Sequence, residues 1–383
     1  MAIDVEDPVP DQLYPADRIA AAADAAGRCG FDALLLTPGP DLRWVTGYDA
    51  HALERLTCLV VPAAGAGEPL LIVPRLELPA AQASPAGRGH LELIAWDETD
   101  DPYAIVAARL GAPGRTPAAV GLADRMWALM VLRLRAALPG TRQDLASRAL
   151  GPLRACKSPA EVAALREAGQ AIDRVHALVP RWLRGGRTER QVAADITDAI
   201  LAEGHSRVDF AIVASGPNAA SPHHSAGDRE LADGDAVVVD IGGTMPSGYC
   251  SDCTRTYVIG QPPPDFLRYY EVLMQAQQAA CAAVRPGATA ESVDAAARQP
   301  IAAAGYGGYF VHRTGHGIGL ETHEDPYIVA GNTEQLRPGH AFSVEPGIYP
   351  GPHGARIEDI VVCTETGFER LNEVTRDLVL VPA

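Results

Sequence analysis

The segment from residue 310 to residue 325, FVHRTGHGIGLETHED, constrains the fold and function of this chain more than any other. It places three histidines, His312, His316 and His323, within twelve residues, with glycines on both sides of the middle one. Glycine tolerates positive φ and close backbone approach, so the pattern predicts a tight loop or strand beside a bulky group. Three histidines with acids nearby favour a metal or catalytic site over surface histidines, provided that carboxylates converge from elsewhere.

Length and composition predict a soluble protein of two domains. The chain has 383 residues, more than one typical domain, and a formal charge of −16. That charge argues against a general binder of nucleic acid or anionic membranes. No apolar run approaches the roughly 20 residues of a membrane span, and the start, MAIDVEDPVP, lacks the basic and apolar regions of a signal peptide. We therefore expect a cytoplasmic location.

The seven cysteines are odd in number and scattered, which favours reduced thiols over a disulfide framework. Cys250 and Cys253 form a CxxC motif that has no second pair to complete a zinc ribbon. We interpret them as two small residues on a strand.

Residues 1–152 are expected to form a small N-terminal α/β domain. An alanine-rich helical pattern over residues 17–27 is followed by short apolar runs with turn residues after them, at 32–38, 55–62, 69–74 and 91–96. Residues 39–51, bounded by glycine and proline, are expected to form a loop. This half of the chain carries no dense chemistry.

Residues 153–383 are expected to form the catalytic domain, which begins with a strong helix start. Ser158 with Glu161, and later Thr188 with Gln191, have the spacing of a capping box. Two more helices are predicted near residues 265–284 and 289–304. A pair of helices thus precedes each acid-bearing group of strands, which indicates a rough internal duplication in element order.

Four acids lie at the ends of predicted strands in this second domain. The apolar run 236–243 contains Asp240, and glycines after it allow residues 249–260 to return antiparallel, with Asp252 on the same face. Residues 340–350 and 355–365 are predicted as two further strands, which carry Glu345 and Glu358.

Convergence of these acids with His316 would have a clear physical purpose. Four carboxylates in a pocket of low dielectric constant repel one another, whereas two divalent cations cancel their charge. The alternative is that each acid pairs separately with an arginine such as Arg255, Arg313 or Arg356. Pairing with an arginine would explain one buried acid, but it does not explain the whole set.

The ordered motifs VVVDIGG, SDCTRT, RTGHGIGLETHE, SVEPGIY and ARIEDIVV resemble the pita-bread metallopeptidase family of methionine aminopeptidase, aminopeptidase P and prolidase (Xaa-Pro dipeptidase). The resemblance covers roughly residues 155–383, and the N-terminal part resembles that of aminopeptidase P, prolidase and creatinase. It implies an α/β (α+β) fold, with a pita-bread domain of pseudo-twofold halves after a smaller creatinase-like domain.

The resemblance also implies the roles of individual residues. The implied metal ligands are Asp240, Asp252, His316, Glu345 and Glu358. Glu358 is preferred to Asp359, because strand alternation places it with Arg356 and the family has an R-x-E pattern.

The remaining roles come from the same resemblance. His223, a better match than His224, and His323 would hydrogen-bond the scissile peptide group and stabilise its tetrahedral intermediate. His312 and Phe210 would line the substrate pocket, and Arg356 would organise hydrogen bonds around the ligands. We expect His224 and His353 to be surface residues.

The mechanism expected from this chemistry is attack of a metal-bridging hydroxide on the substrate carbonyl, with Glu345 as general base and then general acid. Four carboxylates with one imidazole make an oxygen-rich set that favours Mn²⁺, although ligand type alone leaves Zn²⁺, Co²⁺ and Fe²⁺ open.

The sequence therefore predicts a dinuclear metallopeptidase, with a Xaa-Pro dipeptidase ahead of an aminopeptidase P. A creatinase-like hydrolase of non-peptide C–N bonds and a non-catalytic binding protein are the alternatives. Proline preference and a homodimeric state rest on the resemblance alone, and the expected partner is a small peptide substrate.

Overall fold

In the computed structural model, which describes residues 13–89, 91–111 and 116–383, the chain divides into two units. Contacts separate Met1–Arg154 from Ala155–Ala383. The expected division between residues 152 and 153 stays a prediction.

The first unit is built on a six-stranded mixed sheet with the strand order β4-β3-β2-β1-β5-β6. Its strands are β1 Ala33–Leu36, β2 Cys58–Pro62, β3 Leu70–Pro74, β4 Glu92–Trp96, β5 Ala119–Leu122 and β6 Arg142–Leu145. The central strand, β1, is wholly buried and pairs antiparallel with β2 and parallel with β5. The four apolar runs of the sequence correspond to β1 to β4, whereas β5 and β6 were not anticipated.

Seven helices accompany this sheet in the described residues. They are α1 Asp17–Arg28, α2 Pro40–Thr46, α3 Leu78–Ala83, α4 Pro85–Arg88, α5 Pro102–Leu110, α6 Ala128–Ala137 and α7 Ser147–Ala155. The expectation of a loop over residues 39–51 was wrong, because α2 lies within it. Pro40 suits the first helical turn, and Gly47 ends the helix with φ at +71°.

The second unit contains two helix pairs. They are α8 Pro159–Leu178 with α9 Glu189–Ala202, and α10 Phe266–Ala283 with α11 Ala290–Ala303. Both predicted capping boxes are confirmed: Ser158 with Glu161 begins α8, and Thr188 with Gln191 begins α9. These starts were predictable because each depends on residues only three positions apart.

Three sheets complete the second unit. The first, in the order β17-β9-β8-β7, contains β7 Arg207–Ser215, β8 Ala236–Thr244, β9 Cys253–Ile259 and β17 Val379–Val381. The second, in the order β11-β10-β12-β15-β16, contains β10 Gly315–Gly317, β11 Glu324–Ile328, β12 Ala341–Val344, β15 Asp359–Cys363 and β16 Phe368–Arg370. The third is the pair of β13 Gly347–Ile348 and β14 Ala355–Arg356.

Each helix pair forms a hydrophobic core with the strands that follow it. Residues of α8 and α9, such as Ile172 and Ile196, share a core with Val239 of β8. Residues of α10 and α11, such as Leu273 and Val293, share a second core with the other strands. This repetition of helices over strands gives the two halves of the pita-bread fold. None of the helices in the described ranges is both long and apolar enough to cross a bilayer.

Two strands predicted as continuous are interrupted at the acids they carry. Glu345 lies between β12 and β13, and Glu358 lies between β14 and β15. There the backbone N–H of Glu345 donates to the carbonyl of Thr314 (2.8 Å), and that of Glu358 donates to the carbonyl of Thr254 (3.1 Å). These breaks place both acids at strand ends.

Candidate active site

The β8–β9 hairpin supplies the first two acids of the site. Its register places Asp240 opposite Thr254, and Asp252 directly precedes β9. Because side chains alternate between the faces of a strand, Asp252 and Thr254 lie on the face that carries Asp240. All three are buried.

His316 joins this face from β10. The ligand atoms of Asp252, His316 and Glu358 all lie within 4.8 Å of one another. The Nε2 atom of His316 is 3.2 Å from Oε1 of Glu345 and 3.6 Å from Oδ2 of Asp252. Its Nδ1 atom is 3.1 Å from the carbonyl oxygen of Gly317. With its Nδ1 atom at this carbonyl, His316 presents its Nε2 atom to the acids.

Asp240 is also held by Arg356. The guanidinium donates to Oδ2 of Asp240 at 2.5 Å, and further donates to Oγ1 of Thr254 (3.1 Å) and to the hydroxyl of Tyr349 (2.9 Å). Of the four acids, Asp240 is therefore paired with an arginine, as the alternative interpretation expected.

The other two arginines of that alternative behave differently. Arg255 pairs with Asp359 at 2.6 Å, outside the cluster. Arg313 has no acidic partner among the residues that the structure describes.

Burial and mutual repulsion dominate the electrostatics of the cluster. Burial, and then the charges of neighbouring acids, raise the pKa of Asp252 and of Glu358 well above their usual values. Burial also raises the pKa of Glu345, but the hydrogen bond and charge of His316 outweigh it and lower the pKa to about 2. The four carboxylates therefore carry more negative charge than Arg356 and His316 can balance.

Two unsatisfied oxygens test whether a cation fits this site. Oδ1 of Asp240 and Oε1 of Glu358 are buried and have no hydrogen-bond partner within the described ranges. A buried carboxylate oxygen without a partner is costly, and a cation removes that cost. Oxygen donors with one imidazole nitrogen suit a divalent ion, so the residues present fit a metal.

A cavity of about 580 Å³ opens over these residues. Besides the five predicted ligands and Arg356, its walls are formed by Phe210, Ile212, Pro222, His223, His312, Arg313 and His323. Every residue that the sequence analysis assigned to the site therefore lies at one cavity. Their chemical roles stay predictions.

The histidines of this cavity occupy different environments. The ring of His323 lies 4.1 Å from that of His316, between ring centres, whereas His223 is exposed. Burial, and then the charge of His316, lower the pKa of His323 to about 4. Nε2 of His312 is 2.9 Å from the hydroxyl of Tyr349. Burial lowers the pKa of His312.

The expectation that His224 and His353 are plain surface residues was wrong. Nε2 of His224 is 2.7 Å from Oε2 of Glu189, a carboxylate with no exposed area. Nδ1 of His353 is 2.7 Å from the hydroxyl of Tyr269, and the two rings stack at 5.4 Å. Both contacts join residues distant in sequence, which periodicity cannot reveal.

Two supporting residues were missed by the sequence analysis. Ser343 accepts from the backbone N–H of His316 and donates to Oε1 of Glu345, both at 3.1 Å. The hydroxyl of Tyr349 joins Arg356 to His312. Strand alternation from Glu345 could have indicated Ser343, two positions before it.

Comparison with known families agrees with this geometry. Residues 163–365 match metallopeptidase family M24, and residues 18–156 match the creatinase/prolidase N-terminal domain. The chain belongs to metallopeptidase family M24. The resemblance inferred from the five motifs is thereby confirmed, and the protein is a metallopeptidase.

Similar M24 proteins match along almost the whole chain. A probable dipeptidase PepE of Mycobacterium tuberculosis is 55% identical over 368 residues, which are 96% of each chain. A Xaa-Pro dipeptidase of Lactobacillus delbrueckii is 36% identical and covers 92% of this chain and 96% of its own. The crystal structure of dipeptidase PepE from Mycobacterium ulcerans has a TM-score of 0.92 and 54% identity, with 98% of this chain and 100% of that chain covered.

Proposed function

We propose that this M24 protein is a Xaa-Pro dipeptidase that holds two divalent metal ions. Its similarity to a protein named Xaa-Pro dipeptidase and to dipeptidases PepE supports the substrate class. The observation that carries the proposal is the set of four carboxylates and one imidazole at a single cavity, with two buried oxygens unsatisfied in the described part of the chain.

The residues that would hold the ions are Asp240, Asp252, His316, Glu345 and Glu358. When bound, two divalent ions would balance the four carboxylates, polarise the scissile carbonyl and lower the pKa of a water. Oxygen-rich ligands favour Mn²⁺ among the candidate ions.

Glu345 is suited to move the proton of the attacking water. Its hydrogen bond from Ser343 (3.1 Å) fixes its orientation, and its carboxylate lies at the wall of the cavity. It would accept that proton and then donate it to the leaving nitrogen.

His323 and His223 would stabilise the developing oxyanion from the walls of the cavity. Because its pKa is about 4, His323 is neutral near pH 7 and can donate one N–H without adding charge. Arg356 and Tyr349 would act at one remove, since their hydrogen bonds fix the orientations of Asp240 and His312.

The test is hydrolysis of a panel of Xaa-Pro dipeptides, Xaa-Ala dipeptides and Xaa-Pro-Yaa tripeptides by metal-loaded protein, by chelated protein and after Mn²⁺ is restored. We expect turnover of Xaa-Pro dipeptides that chelation abolishes and Mn²⁺ restores. A preference for tripeptides would favour an aminopeptidase P. Metal-loaded protein that hydrolyses no peptide before proline would refute the proposed specificity. A homodimeric state and a cytoplasmic location stay predictions.

A further inference from the structure

Two arginines line the cavity, and their surroundings differ sharply. Arg356 is largely occupied, because four of the five N–H donors of a guanidinium are used here, toward Asp240, Thr254, Tyr349 and the carbonyl of Pro222. The guanidinium of Arg313 lies over the ring of Tyr327 at 4.5 Å and has no carboxylate or carbonyl partner among the described residues. Most donors of Arg356 are thus occupied, whereas those of Arg313 are available to a ligand.

The backbone on both sides of Arg313 is anchored. The side chain of Arg298 donates to the carbonyls of Phe310 (3.2 Å) and His312. Asp294 accepts from the backbone N–H (3.2 Å) and from the hydroxyl (2.7 Å) of Thr314. Fixed flanking residues lower the entropic cost of holding a ligand, so Arg313 is preorganised.

Arg313 also lies at the same cavity as the groups proposed to react. It forms the wall of the 580 Å³ cavity together with His323 and Glu345. A ligand group that pairs with Arg313 would therefore occupy the cavity that receives the scissile bond.

Substrate length determines which group occupies that place. In a Xaa-Pro dipeptide, the carboxylate carbon is two bonds from the scissile nitrogen, so an anion must enter the cavity with the peptide bond. In a longer peptide, an uncharged amide occupies the same position. A guanidinium binds a carboxylate through two parallel, charge-assisted hydrogen bonds, which an amide cannot reproduce.

We propose that Arg313 binds the C-terminal carboxylate of the substrate and thereby selects dipeptides over longer peptides. This inference rests on the proposed function, because it assigns the group that reads substrate length at the same site. Arg313 is a specificity-determining residue in this account.

The test compares Ala-Pro with its C-terminal amide, Ala-Pro-NH₂, in wild-type protein, Arg313→Met and Arg313→Lys. Arg313→Met should lower kcat/KM for Ala-Pro by about 10- to 100-fold, which is the range supplied by hydrogen bonds to a charged group. The same substitution should change kcat/KM for Ala-Pro-NH₂ by less than about 3-fold. Arg313→Lys should recover part of the loss, since it restores the charge without the planar pair of donors. Metal content should be unchanged in both variants.

Arg174→Met is the matched control. Arg174 is an exposed α8 residue paired with Glu203, outside the walls of the cavity, and its loss changes the net charge equally. It should leave the acid-to-amide ratio at the wild-type value.

Equal losses on Ala-Pro and its amide in Arg313→Met would overturn the inference. Glu-Pro is measured as a third substrate. If Arg313→Met lowers kcat/KM for Glu-Pro but not for Ala-Pro, Arg313 contacts the first side chain of the substrate and the inference is also overturned. If the metal-loaded wild type hydrolyses neither compound, the proposed function fails, and calorimetric binding of the same two compounds still tests the carboxylate contact. Weaker binding of the acid alone to Arg313→Met would support the inference, and equal affinities of the variant and the wild type would refute it.

Discussion

Replacing Glu358 by glutamine should affect the metal-free and metal-loaded protein in opposite directions. In the metal-free protein, the ligand oxygens of Glu358 and Asp252 are within 4.8 Å. Two unit charges at that separation repel by about 3 kcal/mol at an effective dielectric constant of roughly 20. Glutamine removes this repulsion and keeps an oxygen to accept from Thr254, at a cost of about 1 kcal/mol for the weaker hydrogen bond.

Because proton uptake by the cluster relieves part of the repulsion, we expect Glu358→Gln to raise the free energy of unfolding by about 1–2 kcal/mol in chelator. In Mn²⁺ the wild type should instead have the higher free energy of unfolding. A bound ion at a concentration 100-fold above its Kd adds about 2.7 kcal/mol to the wild type, and the variant should lose most of that gain.

Urea unfolding followed by circular dichroism, in chelator and in Mn²⁺, measures both effects. Glu365→Gln is the control, because Glu365 is an exposed acid just after β15, the strand that Glu358 precedes, and its replacement should change stability by less than about 0.5 kcal/mol. A Glu358→Gln variant that is destabilised in chelator, or that Mn²⁺ stabilises as much as the wild type, would refute the reasoning.

Three further substitutions have distinct expected results. Asp252→Asn should abolish turnover and lower the metal content measured by plasma mass spectrometry; full metal loading would contradict its role as a ligand. His323→Ala should lower kcat by roughly 10²–10³-fold, as for a removed oxyanion donor, with the metal retained; loss of metal would show that His323 is a ligand. His176 is fully buried and its folded-state pKa is lowered to about 3, first by burial. Since its unfolded pKa is near 6.5, its contribution to stability is complete above that pH, is reduced by about 2 kcal/mol at pH 5, and keeps falling toward pH 3. His176→Gln should remove this part of the pH dependence in urea unfolding at pH 8 and pH 5, and an unchanged difference would contradict the assignment.

The parts of the structure that depend on neighbouring residues could be predicted from the sequence. Both capping boxes span three positions, and the hairpin that places Asp240 beside Asp252 follows from strand alternation and the glycines between them. The grouping of these acids with His316 needed the family resemblance, because it joins residues from different strands.

Other features depend on contacts that no local pattern encodes. The strand breaks at Glu345 and Glu358 are stabilised by backbone hydrogen bonds to Thr314 and Thr254, which lie far away in sequence. The buried partner of His224 is likewise invisible to periodicity. Arg313 was considered only as a partner for an acid, since a sequence cannot show which arginines are already paired.

The central claim is that four carboxylates and His316 surround a pair of metal ions. Anomalous diffraction from a crystal of the protein grown with Mn²⁺, collected near the manganese absorption edge, tests it most directly. The account predicts two anomalous peaks about 3.5–4 Å apart, both bounded by these five residues. Absence of peaks there, or peaks bound by other side chains, would contradict it.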